Sequence, residues 1–129
     1  MTGGTGDVNP ESVAGSTTHT RPRPLFGYIR VAPYTSEKRI EELRRSMAAY
    51  ASQEGFTLGR VFVDQSRLHT IALTELFHAL SCGEAAHVLV PALHHLAHYP
   101  SIQAAMKELV ESQTGARLLV MYPNVTDAA

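Results

Sequence analysis

The chain has 129 residues, is 44% hydrophobic and carries a formal net charge of −1, which suffices for one compact domain with a core and is too short for two. Its single cysteine, Cys82, excludes an internal disulfide and leaves no thiol cluster for a structural zinc, so a reducing, cytoplasmic setting is expected. No basic segment followed by an apolar stretch opens the chain, and no apolar run reaches the roughly eighteen residues of a membrane span, so neither a signal peptide nor a membrane partner is expected.

The opening "MTGGTGDVNPESVAGSTTHTRP" holds four of the nine glycines, is rich in Ser and Thr, and lacks apolar periodicity. Such a composition buries too little surface to offset chain entropy, so residues 1–23 are expected to form a disordered tail and residues 24–129 an α/β domain. The first strand pattern runs from Leu25 to Ala32, carries one arginine, and stops before Pro33. Thr35 or Ser36 is placed to cap a helix that repeats Ile40, Leu43, Met47 and Tyr50 and ends at Gly55. A strand from Gly59 to Asp64 follows, then a helix repeating Leu73, Leu76, Phe77 and Leu80 that stops at Gly83. The third strand pattern is Ala86 to Leu93, with Pro91 expected to end its pairing. The last helix repeats Ile102, Met106, Leu109 and Val110 and stops at Gly115, and Arg117 to Tyr122 reads as the fourth strand. This alternation predicts a three-layer α/β sandwich, a mainly parallel four-stranded sheet flanked by helices through right-handed crossovers. Ligands of such sheets sit beyond the carboxyl ends of the strands, here after Val31, Val63 and Val90.

The small net charge hides an asymmetry: residues 21–60 hold eight of the eleven Lys and Arg against four acids. Arg30, Arg39, Arg44 and Arg45 are therefore candidate phosphate contacts. Glu41 and Arg45, at i,i+4 spacing, instead form the ordinary pattern of a solvated helix face, which is the preferred reading. Arg30, inside an apolar strand, needs a partner if buried, and Asp64 at the end of the next strand is the favoured one. Tyr28 and Tyr50 read as core aromatics with a hydrogen-bonded tip rather than as stacking platforms.

Five segments in this order, "YIRVA" at 28–32, "EELRRSMAAYASQEGF" at 41–56, "VFVDQ" at 61–65, "LTELFHAL" at 73–80 and "GARLLVMYP" at 115–123, resemble the catalytic domain of serine recombinases, the resolvase and invertase group. The resemblance covers residues 25–123 and implies a resolvase-like fold with flavodoxin-like strand order. In that family the first strand reads Tyr-x-Arg-Val-Ser, and the serine attacks a DNA phosphate while arginines neutralise the developing charge. Here Tyr28, Arg30 and Val31 match, and Ala32 stands in the serine's place. Asp64 matches the family's second-strand acid, Thr70 falls at the arginine near the next helix start, and His94, His95 and His98 fall on the family's Asp-Arg-x-x-Arg. The resemblance thus implies an enzyme strand without its nucleophile, and no catalytic activity is expected. The family also carries a long dimerisation helix and a DNA-binding domain beyond this region; six residues follow Pro123, so synapsis and site recognition in the family's manner are not expected.

Six of the seven histidines lie between His69 and His98, and "HHLAH" sets His94 and His98 at i,i+4, which on a helix presents two imidazoles to one metal. No third ligand stands at a diagnostic spacing; Asp64, His69 and Cys82 are the candidates. The preferred reading is that the histidines are partly exposed polar residues at a strand end, and neither metal nor cofactor is expected. Unperturbed imidazoles are mostly neutral at pH 7, so they do not replace permanent guanidinium charges. Thr35 or Ser36 acting as a displaced nucleophile is the lesser alternative to helix capping. The function expected is a catalytically inactive, recombinase-like module that binds a protein partner or self-associates weakly. The alternative is a non-cleaving nucleic-acid accessory, with binding expected to be weak.

Overall fold

The computed structural model of the chain describes residues 23–122. The tail expectation for residues 1–22 lies outside them; Arg23, assigned to that tail, already pairs with Phe56 as the first residue of a strand. The elements are β1 (Arg23–Arg30), α1 (Glu37–Gln53), β2 (Phe56–Asp64), α2 (Ile71–Ser81), β3 (His87–Val90), a short 3₁₀ turn (Leu93–His95), α3 (Pro100–Thr114) and β4 (Arg117–Val120). The four strands form one sheet in the order β2-β1-β3-β4, and every pair is parallel.

Burial follows from this order. β1 is central and covered on both faces, so Leu25 to Ile29 are all buried and the run reads as continuous rather than alternating. On one face, Met47 and Ala51 of α1 pack on Leu25, Ile29, Phe56 and Leu89. On the other, Leu73, Leu76 and Leu80 of α2 and Val110 of α3 pack on Phe26, Tyr28, Phe62, Val88 and Leu118. These are the two helical layers that the alternation predicts. Gly27 allows α1 to approach β1, since a Cβ there would lie 2.7 Å from Met47 Cε.

Four details differ from the sequence reading. β2 begins at Phe56 rather than Gly59, because a bulge sets Gly59 and Arg60 opposite the single residue Phe26 and breaks the alternation midway. β1 ends at Arg30, two residues before Ala32, although the Val31 amide still donates to Asp64 O. β3 ends at Val90, yet pairing with the last segment continues as the Tyr122 amide donates to Pro91 O, where proline can only accept. The stripe on α3 is shallow: Val110 is buried, while Ile102 and Leu109 are 49% and 39% exposed.

The "HHLAH" segment is not one helix. Only Leu93–His95 make a 3₁₀ turn, and Tyr99 is extended because Pro100 follows it and opens α3. His94 and His98 therefore lack the one-face geometry that i,i+4 spacing gives on a helix. The i,i+3 and i,i+4 pairs on α1 do form: Arg39–Glu42 at 3.6 Å, Arg44–Glu41 at 3.5 Å and Arg45–Glu41 at 3.9 Å.

Candidate functional site

A cleft of about 530 Å³ opens at the carboxyl ends of β1, β2 and β3, where the strand order reverses direction. Arg30, Val31 and Ala32 form one wall, Ser66, Arg67, Leu68 and Thr70 a second, and His94, Leu96, Ala97 and His98 the third.

Beneath the cleft lies a buried polar cluster centred on Asp64. Its Oδ2 accepts from the Tyr28 hydroxyl at 2.7 Å and from the Leu73 amide at 3.1 Å, and its Oδ1 accepts from the Ala72 amide at 3.0 Å. The two amides belong to the first turn of α2, whose own cap residue, Thr70, makes no side-chain capping bond. A carboxylate from a neighbouring strand thus caps α2 and meets the positive end of its dipole. Burial, then the hydrogen bond to Asp64, push the Tyr28 phenol well above its ordinary range, so it stays a neutral donor.

Arg30 faces inward. One of its terminal nitrogens donates to Ser66 O at 3.0 Å and His69 O at 2.9 Å, its Nε to His95 O at 3.4 Å, and the other terminal nitrogen lies 3.9 Å from Asp64 Oδ2. The favoured pairing with Asp64 is present. The guanidinium pins the loop after β2 and the turn after β3 against β1, so most of its donors point into protein.

The histidines divide into different roles. His95 is buried, and its Nδ1 accepts the Arg30 backbone N–H at 3.0 Å, so that nitrogen carries no proton while the bond holds. His94 stacks 4.7 Å from it, and its Nδ1 is buried without a hydrogen-bond partner among the described residues. His98 lies edge-on to Tyr99 at 4.8 Å. Among the described residues no group of three or more His, Cys, Asp or Glu is placed to hold a metal ion.

Comparison with known proteins places the fold. No protein-family model matches the chain, and no curated protein sequence matches it. Solved structures do. The C-terminal catalytic domain of ISC1926 TnpA, an IS607-like serine recombinase, is 20% identical with a TM-score of 0.67, over 78% of this chain and 72% of that one. The chain has the serine-recombinase catalytic-domain fold. The N-terminal catalytic domain of TP901-1 integrase is similar at 18% identity and a TM-score of 0.64, over 77% of each chain. A serine recombinase from Sulfolobus solfataricus is similar at 17% identity and a TM-score of 0.56, over 81% of this chain and 72% of that one.

On this recombinase-like frame, Arg30, Ala32, Thr70, His94 and His98 line the cleft, and Tyr28, Asp64 and His95 lie beneath it. Arg39, Arg44 and Arg45 do not join them; they sit in ion pairs on the outer face of α1. Sequence reasoning missed Ser66, Arg67 and Leu68. The "QSRLHT" stretch has no periodicity, and its one signal is Ser66, whose Oγ accepts from the Leu68 and His69 amides and shapes the turn. Ser36, by contrast, is the cap of α1, accepting from the Arg39 amide at 3.1 Å. Among the described residues, the Ser66 hydroxyl accepts from two backbone amides and Thr70 makes no side-chain capping bond.

Proposed function

We propose that the chain is a catalytically inactive serine-recombinase-like domain that acts as a binding or regulatory module through a protein partner. The observation that carries this reading is Ala32 on the cleft wall just past β1, the place the resemblance gives to the attacking serine. A methyl group cannot attack phosphorus. Arg30 supports the reading, because a guanidinium spent on three carbonyls and a carboxylate has little left for a developing phosphoryl charge. So do the histidines standing where the resemblance implies arginines.

One observation favours a second reading, a nucleic-acid accessory that does not cut. Arg67 is exposed at the cleft and makes no ion pair among the described residues, so it is available to a phosphate. Native co-purification with and without nuclease separates the two. A partner retained after nuclease treatment supports the protein-binding module, and complete loss of the bound material supports the accessory.

A further inference from the structure

Among the described residues β2 is an edge strand: it pairs only with β1, and no other segment hydrogen-bonds to its outer side. Such an edge offers a row of backbone donors and acceptors to an added strand. Beside it, α1 presents one ridge, Glu41, Arg45, Ala48 and Ser52, spaced as successive turns of one helix face. Between ridge and strand run two cavities of about 290 and 240 Å³ that share Ala48 and Leu58, and so form one groove along the strand. The small side chains of Ala48 and Ser52 leave this space open. The apolar floor is Leu58 and Val61, both half-buried because α1 covers the edge only in part.

We infer that this groove binds an extended acidic–apolar peptide segment of a protein partner as an added strand on β2. The inference rests on the protein-binding reading above and supplies the partner's chemistry. An added strand alternates its side chains. One set would enter the groove over Leu58 and Val61, beneath Ala48 and the basic rim of α1, and the other, acidic, set would lie on the opposite face beside Arg60. That rim is not balanced: Arg44 and Arg45 share the single carboxylate of Glu41, at 3.5 and 3.9 Å. Arg60 projects from the strand on the opposite face, over the Phe62 ring at 4.5 Å, is 59% exposed, and pairs with Glu84 at 3.5 Å. This charge selects among occupants. A second copy pairing β2 to β2 would set these arginines against their own counterparts, whereas an acidic segment relieves them.

The test titrates two fluorescein-labelled octapeptides, alternating valine–glutamate and alternating valine–lysine, into the full chain, with amide chemical-shift mapping of the complex. The valine–glutamate peptide is expected to bind and to shift the amides of Phe56–Asp64. Ala48→Arg, at an exposed helix position, is expected to abolish binding while leaving the unfolding midpoint unchanged. Arg60→Glu, on the face the acidic set takes, is expected to weaken it about fivefold, the scale of one exposed ion pair. No binding, equal binding of the lysine peptide, or shifts confined to the Ala32 cleft would each overturn the inference. Those outcomes leave the inactive-enzyme reading to its own plasmid assay, and a covalent adduct in that assay would leave the peptide result standing.

Discussion

Asp64 joins β1, β2 and α2 through one carboxylate, accepting from Tyr28, Ala72 and Leu73 and facing Arg30. Asp64→Ala leaves a phenol and two helix amides without an acceptor and a largely buried guanidinium without its counter-ion. The expected cost is about 3–5 kcal/mol, read as a lower urea midpoint at an unchanged m-value. Asp64→Asn, which keeps one acceptor oxygen, is expected to lose less. His87 gives a pH dependence. Burial first, then the charges of Arg23 and Arg117, lower its pKa from 6.5, so the folded chain favours the neutral ring more than the unfolded chain does. Its contribution is therefore fully present above about pH 6.5 and is lost as pH falls through the depressed folded value. Glu111 acts in the same direction lower down: the Leu118 amide chiefly, with Lys107 and Arg117, lowers its carboxyl below 4.5, and that contribution is lost as pH falls further. Urea midpoints should fall from pH 7.5 to pH 5, and His87→Gln should flatten that slope; an unchanged slope would contradict the assignment.

At the scale of elements, α1 has a defined start and a defined contact. Ser36→Ala removes the acceptor for the Arg39 amide and is expected to cost about 1 kcal/mol, whereas Thr35→Ala removes no capping bond. Met47 is fully buried against Leu25 and Ile29, and Met47→Ala is expected to cost about 2–5 kcal/mol by denaturant titration. Most elements were legible in the sequence because their burial is simple. β1 is apolar throughout as a central strand, and all three helices reach glycines with positive φ just past their ends. What was not legible had local causes. The bulge at Gly59 shifts the alternation of β2 and hides its first half, and Pro100 forces Tyr99 out of the helical region, which divides "HHLAH".

For the whole molecule, the site was legible where a charge interrupts an apolar strand, as at Arg30 and Asp64. It was not legible where a loop supplies the wall, as at Ser66, Arg67 and Leu68, since loops carry no periodicity and the three walls meet only through the strand order. The same fold-level charge pattern sets an expectation for duplex DNA. With the three arginines Arg39, Arg44 and Arg45 offset in part by Glu41 and Glu42, few phosphates can be neutralised at once. A dissociation constant weaker than about 10 μM is expected at about 150 mM salt, with a shallow salt slope. Nanomolar affinity with a steep slope would install the accessory reading in place of the protein-binding one.

The most direct measurement is of the chemistry itself: incubation with supercoiled plasmid, denaturing quench, and a search for protein-linked DNA strands. With Ala32 just past β1 on the cleft wall and the Ser66 hydroxyl accepting from two backbone amides, no linked strands and no nicking above the buffer control are predicted. A protein–DNA adduct that survives denaturation and maps to Ser66, Thr70 or any other hydroxyl of this chain would contradict the account.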